Sequence, residues 1–214
     1  MRVVVNPKYA YLTEFIQSIP KQEYECDLVF RDYRNVLQKV TVDGTAMVIK
    51  RYKRPTIANC FIYSYFRTNK AKRSYEYAFR LEEMGFATAE PIAYIEIKKN
   101  GFFHTGYFIS SFLSHPLLDT INEYDAETKT EIIKDFAAYT ADLNEKGIVH
   151  YDYNLSNIFF YKEDGKSNYQ FALIDINRMR FKHFSKRKCI KGLKTIQFEL
   201  PYLAYMAECY ATQL

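Results

Sequence analysis

The sequence predicts an α+β fold in two lobes, the first rich in antiparallel strands and the second smaller and more helical. Three observations carry this reading. Short β-rich runs separated by turn signals fill the first half, around one well-defined helix. Beyond His115-Pro116 the apolar period lengthens to that of a long helix. Between the halves, the stretch near Ser111 to Ser114 has the place of a hinge beside a cleft.

The elements follow in order. Arg2 to Val5 predicts a short edge strand, stopped by Pro7. From Tyr11 to Ile19 the residues Leu12, Phe15, Ile16 and Ile19 recur at helical spacing, ended by Pro20. Leu28 to Phe30, Val36 to Val42 and Ala46 to Tyr52 predict strands, the last two joined through Asp43-Gly44, a strong hairpin signal. Arg73 to Met84 predicts a helix with Gly85 as its stop. Strands around Pro91 to Ile97 and Gly106 to Phe112 are joined at Asn100-Gly101. Asp125 suits the cap of a helix through Lys146, whose inner stripe is Ile132, Phe136, Tyr139 or Thr140, and Leu143. Strands Ile158 to Tyr161 and Phe171 to Ile174 flank the turn at Gly165, and a last helix covers Pro201 to Ala211. The expected division is an N-lobe of about residues 1–112, a hinge at about 111–115 and a C-lobe of about 116–214.

Composition excludes several classes of protein. A hydrophobic fraction of 48% and an aromatic fraction of 17% exclude a disordered chain. Cys26, Cys60, Cys189 and Cys209 are far apart, without metal-ligand spacing, and are expected to be reduced and buried, as in a cytoplasmic protein. No apolar run approaches the roughly 20 residues of a membrane-spanning helix. The net charge of +5 is unevenly distributed. Basic residues without any acid occupy Lys50 to Arg73, including Arg67, and again Arg178 to Lys194, including Lys186, Arg187, Lys188 and Lys191. Such blocks indicate a solvated face, nucleic-acid contact or attraction to an anionic surface, and the aromatics interleaved in both (Phe61, Tyr63, Tyr65 and Phe66; Phe181 and Phe184) suit a membrane-facing surface as well as RNA.

The chemistry lies in His150-Tyr-Asp152-Tyr-Asn-Leu-Ser-Asn157, followed by a strand and then Leu173-Ile174-Asp175. An Asp and an Asn five residues apart, with a second Asp closing the next apolar run, supply hard oxygens for magnesium and one carboxylate for a hydroxyl. Upstream stand a strand lysine, Met47-Val48-Ile49-Lys50, and a helix bearing Glu76. The order Lys, Glu, Asp, Asn, Asp resembles the kinase set of residues. His150 is expected to be packed scaffold, because phosphoryl transfer asks for positioning and charge neutralisation.

With these residues, and with Arg34-Asn35, Lys50-Arg-Tyr-Lys-Arg-Pro55, Lys70-Ala-Lys-Arg-Ser-Tyr-Glu76, Glu90-Pro-Ile-Ala-Tyr-Ile-Glu96 and Asp175-Ile-Asn-Arg178, the chain resembles the bacterial lipopolysaccharide kinases. The likeness is to 3-deoxy-D-manno-octulosonic acid (Kdo) kinases of the type found in Bacteroidetes. It implies a small, atypical protein-kinase-like fold that transfers the γ-phosphate of ATP to a hydroxyl of Kdo-lipid A or a related anionic glycolipid. Lys50 then holds the α- and β-phosphates and Glu76 fixes Lys50. Asp152 orients the sugar hydroxyl and accepts its proton, while Asn157 and Asp175 carry Mg2+. Asn35 and Ser111 lie at the expected nucleotide site.

Departures from protein kinases sharpen the expectation. No Gly-rich phosphate loop precedes Lys50, so Arg34 or Asn35 is a candidate to contribute there. Tyr151 replaces the usual Arg, which argues against control by a phosphorylated loop. Asn154 stands where a Lys would reach the γ-phosphate, and Arg178, with Arg180, is a candidate for the missing charge towards phosphate or acidic sugar. The implied place of work is the cytoplasmic face of the inner membrane, held there peripherally, with no nucleic acid expected. Kinases of another core sugar such as heptose, or of another small molecule, are the alternative enzymes. A catalytically inactive pseudokinase that binds nucleic acid or membrane is the alternative of another class.

Overall fold

Strands β1 (Arg2–Val5), β2 (Leu28–Asp32), β3 (Asn35–Val42), β4 (Thr45–Tyr52), β6 (Pro91–Lys99) and β7 (Phe102–Ser111) form one sheet in the order β1-β6-β7-β4-β3-β2. Every pairing in it is antiparallel. This computed structural model describes residues 1–32, 35–182, 189–190 and 193–213, and the side chains of 30–32 and 35 lie outside the description. Arg34, His183, Phe184, Lys186, Arg187, Lys188 and Lys191 therefore lie outside the described residues. The chain divides into two units, residues 1–80 with 89–112, and residues 81–88 with 113–214.

In the first unit, the two-residue hairpins form where the sequence predicts them. Asp43 and Gly44 have φ of 49° and 75°, and Asn100 and Gly101 have 51° and 81°, the left-handed pairs that match strand twist. Alternation along the strands gives the sheet two apolar faces. On one, Met47, Ile49, Ile95 and Ile109 meet Leu12, Ile16 and Ile19, contributed by a 3-10 turn at Pro7–Leu12 and by α1 (Thr13–Ser18). On the other, Tyr52, Tyr94 and Phe108 meet Ala71 and Tyr75 of α3 (Lys70–Glu83).

Helix α3 starts earlier than its apolar periodicity predicts, because Asn69 caps it. The Asn69 Oδ1 accepts the Lys72 N–H at 3.1 Å, and its amide donates to Glu96. The unit also holds a helix that sequence analysis misses, α2 (Ile57–Tyr65). Its β-branched and aromatic residues behind Pro55 favour extended structure by propensity, and packing of Cys60, Tyr63 and Ser64 against β7 overrides it. The first unit is thus richer in helix than the one-helix N-lobe expected.

The second unit is built on α4 (Ala126–Glu145), capped as predicted by Asp125, whose Oδ1 accepts the Thr128 N–H at 2.9 Å. Ile132, Phe136, Thr140 and Leu143 are its buried stripe. Strand β5 (Ala87–Thr88) runs parallel to β10 (Tyr169–Leu173), which pairs antiparallel with β9 (Ile158–Lys162). That pairing, with the Phe86 ring 5.6 Å from Tyr139, places residues 81–88 in the second unit and not with the first lobe. A two-stranded ladder joins β8 (Ile148–Val149) to β11 (Arg180–Phe181). Helix α5 (Leu200–Ala211) packs on α4, where the Asn144 amide donates to the Tyr210 hydroxyl at 2.9 Å. The four cysteines are free, but only Cys60 and Cys189 are buried; Cys26 and Cys209 are half-buried. Among the described residues, no helix is long and apolar enough to cross a membrane.

Candidate active site

The loop between β8 and β9 is moored by three side chains and offers three others. His150, Tyr153 and Leu155 are buried. Tyr153 stacks on Phe136 with ring centroids 5.6 Å apart, and its hydroxyl meets Thr140 Oγ1 at 3.0 Å, deep enough that burial pushes its pKa far up. His150 is 2% exposed. It accepts the Asp152 N–H on Nδ1 at 3.1 Å, and its Nε2–H donates to the Ile174 carbonyl at 3.0 Å, partners that assign the neutral tautomer. Burial holds the His150 pKa below its usual value, against the opposing pull of the Ile174 hydrogen bond and of Asp175 and Asp152. His150 is therefore a neutral clamp between the loop and the segment that ends in Asp175, as the sequence suggests.

Asp152, Asn154 and Asn157 are the half-buried residues that the mooring presents. The Asp152 carboxylate accepts the Asn154 amide on Oδ1 at 3.1 Å and the Arg178 guanidinium on Oδ2 at 3.0 Å. Asn157 donates its Nδ2 to the Asp152 carbonyl at 2.9 Å, which leaves Oδ1 for another group. Its own carbonyl accepts the Ile174 N–H at 2.9 Å, so Asn157 and Asp175 lie at the same end of the β9–β10 hairpin.

Asp175 has a left-handed backbone, φ 52° and ψ 38°, at the head of a 3-10 turn, Ile176–Arg178. That bend turns the chain back so that Arg178 reaches Asp152. Asn177 is buried and donates Nδ2 to Asp175 Oδ1 at 2.5 Å. Among the described residues, its Oδ1 is a buried polar atom without a hydrogen-bond partner. This donor set fits magnesium, which takes hard oxygens from one or two carboxylates or amides and draws the rest from water and phosphate. Among the described residues no group of three His, Cys, Asp or Glu is placed to hold a metal ion, so water and phosphate would complete the shell. Arg178 is half-exposed, and sequence analysis had no signal for its pairing with Asp152, which depends on the left-handed bend. Arg180, on β11, donates to the Met179 carbonyl at 3.1 Å.

In the first unit, Lys50 lies on β4 in a cross-strand row with Leu37, Phe108, Tyr94 and Val4. Tyr94 and Phe108 are in the cluster beneath α3, so Lys50 shares the face that α3 covers. Its Nζ lies 5.6 Å from the Tyr52 ring centroid. Glu76, exposed on α3, pairs with Lys72 one turn back, at 3.5 Å. An exposed pair of this kind is worth only about 0.3–0.5 kcal/mol, little resistance to exchanging partners. Asn35 pairs across from Tyr52 at the start of β3. The Ser111 hydroxyl accepts the Glu90 N–H at 2.8 Å and its N–H donates to the Glu90 carbonyl at 2.9 Å, fastening the end of β7.

A cavity of about 440 Å³ in the second unit opens beside the Asp152 loop. Its walls include Asn154, Ser156, Asn122, Lys129, Gln197 and Tyr202. Sequence analysis missed it because its residues come from four separate segments with no shared spacing.

Comparisons with known proteins give the fold and the family. The chain is similar in fold to a solved structure described as WaaP in complex with acyl carrier protein, at 16% identity and a TM-score of 0.66. The match covers 100% of this chain and 90% of that one, so the kinase-like fold extends over the whole chain. No curated protein matches the chain by sequence. A family model does match, over residues 30–203, most of the chain: the chain belongs to the lipopolysaccharide kinase (Kdo/WaaP) family.

Proposed function

We propose that this protein transfers the γ-phosphate of ATP to a hydroxyl of Kdo in a lipopolysaccharide lipid A-core precursor. Family membership supports the coarser statement, a phosphotransferase of lipopolysaccharide biosynthesis that uses ATP. The observation that carries the mechanism is the Asp152 carboxylate, fixed by Asn154 and Arg178 and set on a loop clamped to Asp175 through His150. In this reading Asp152 orients the sugar hydroxyl and accepts its proton as the phosphoryl group arrives. Asn157 and Asp175 would hold Mg2+, with Asn177 fixing the Asp175 carboxylate. When bound, the metal neutralises phosphate charge. Lys50 binds the α- and β-phosphates, and Glu76 exchanges Lys72 for Lys50. Asn35 and Ser111 border the nucleotide.

Arg178 supplies the cation that Asn154 does not, moving between Asp152 and the transferred phosphate or the acceptor's carboxylate. Arg180 extends that basic edge. The polar cavity beside the loop suits a sugar, with amide and hydroxyl walls for its hydroxyls and Lys129 for an anionic group. ATP as donor and a lipid-linked acceptor put the enzyme on the cytoplasmic face of the inner membrane, bound peripherally.

The test is mass spectrometry of Kdo-lipid A incubated with enzyme, ATP and magnesium. A gain of one phosphate on Kdo, lost with Asp152→Ala, is the expected result. Phosphate on a heptose instead would move the acceptor to another core sugar. RNA binding without any affinity for ATP would overturn the kinase reading.

A further inference from the structure

Helix α2 turns its apolar side outwards. Cys60, Tyr63 and Ser64 face β7, where the Ser64 hydroxyl accepts the Phe103 N–H at 2.8 Å and the Tyr63 ring meets Phe103 edge-on. Ile57, Phe61 and Tyr65, spaced by four residues, line the opposite ridge, with Ile62 and Phe66 beside them. Ile57 is 86% exposed, Phe66 76% and Tyr65 62%. Phe102 of the β6–β7 hairpin completes the patch: the Phe61 ring lies 5.2 Å from Tyr65, 5.8 Å from Phe66 and 6.4 Å from Phe102. A contiguous exposed patch of such residues is unusual on a protein that stays in water, and it marks an interaction surface.

The rim of the patch is basic. Exposed Lys53 and Arg54 precede the helix, exposed Arg67 follows it, and exposed Lys98 and Lys99 lie on the hairpin that carries Phe102. Residues 44–75 contain no acid, and the nearby Glu96 is engaged by the Asn69 amide. His104, beside the patch, has its pKa held down first by burial and then by the charges of Arg54, Lys99 and Arg51.

We infer that the outer face of α2, with Phe102, docks on an anionic phospholipid bilayer. Rings and aliphatic side chains enter the headgroup boundary while the basic rim meets lipid phosphates. The occupant follows from the chemistry of the patch. A second copy would bring two basic rims together, against their repulsion. A nucleic acid would use the rings and the cations but not Ile57 and Ile62. The inference rests on the kinase reading only for the acceptor's lipid anchor, which gives the enzyme a reason to be at a bilayer.

The experiment is co-sedimentation of the full chain with vesicles, without ATP. Vesicles of phosphatidylglycerol and phosphatidylcholine are expected to bind the protein and pure phosphatidylcholine vesicles to bind it weakly, with binding that weakens as salt rises. The Phe61→Ser/Tyr65→Ser/Phe66→Ser variant is expected to lose roughly ten-fold or more in partitioning, with an unchanged far-UV spectrum and unchanged ATP affinity. Lys53→Glu/Arg54→Glu, which leaves the ridge intact, is expected to lose binding to the anionic vesicles alone. No binding by the wild-type chain, or equal binding by the ridge variant, overturns the inference. So does a lipid-free dimer, or RNA binding, that the ridge variant abolishes. Vesicle binding without phosphate transfer would refute the kinase and leave the docking surface standing, and transfer without vesicle binding would do the reverse.

Discussion

Replacing His150 with Phe tests whether the catalytic loop owes its geometry to the imidazole clamp. Phe keeps the ring and most of the packing against Tyr153, whose centroid is 5.8 Å from that of His150. It removes both hydrogen bonds, leaving the Asp152 N–H and the Ile174 carbonyl without their partner. A buried polar group so stranded costs about 1–3 kcal/mol, and the half-buried position of both residues puts each near the lower end. The expected loss is about 2–3 kcal/mol, or roughly 5–10 °C in melting temperature for a chain of this length. Turnover should fall by about 10- to 100-fold as Asp152 drifts from the hydroxyl, since an error of about 1 Å costs that order. ATP affinity measured without metal should not change.

The variant also changes the response to pH. Burial lowers the folded-state pKa of His150, so below the unfolded value of 6.5 the unfolded chain takes the proton first. The stability linked to His150 is complete above that value and is lost as pH falls through the folded one. His150→Phe should therefore show a flatter decline in stability through that window, followed by thermal melts at stepped pH. A variant that melts within about a degree of wild type and turns over within about two-fold would refute the clamp.

Other substitutions test separate parts of the site. Asp152→Asn should lower kcat by about 10²–10⁴-fold with ATP affinity unchanged, measured by phosphate transfer to the glycolipid and by equilibrium ATP binding. Asn177→Ala, which removes the Asn177 hydrogen bond to the Asp175 carboxylate, should raise the magnesium concentration for half-maximal activity by roughly 10- to 100-fold; an unchanged magnesium titration would remove Asn177 from the site. Arg178→Ala should raise the acceptor KM or lower turnover roughly ten-fold or more, and ordinary values of both would end its assignment. Asn69→Ala should cost about 1–2 kcal/mol in urea unfolding, because it loses the cap of α3 together with the contact to Glu96.

What the sequence made legible was whatever repeats over short distances. The hairpins at Asp43-Gly44 and Asn100-Gly101, the Asp125 cap and the inner stripe of α4 all depend on residues within a few positions of one another. Asp152, Asn157 and Asp175 were legible for the same reason, since a loop and one hairpin bring them together. Helix α2 was not, because its residues carry strand propensity and its stability comes from β7, distant in sequence. The Arg178–Asp152 pair was hidden too, as it requires the left-handed turn at Asp175 that an Asp does not announce. The early start of α3 depended on one Asn whose amide also serves another strand.

The bend at Asp175 also governs how this protein could lose its chemistry. Asn and Gly adopt positive φ readily, whereas most L-residues resist it by about 1–2 kcal/mol. If Asp175 holds the metal as proposed, a change to Asn would erase the negative charge while the backbone kept its course, and the expected product is a folded protein that keeps its ligand contacts and loses phosphate transfer. A change to Val or Ile would damage the turn itself. The position is thus a point from which a lineage can drift from enzyme to silent binder in one step, and Asp175→Asn is the variant with which to trap an acceptor on the intact fold.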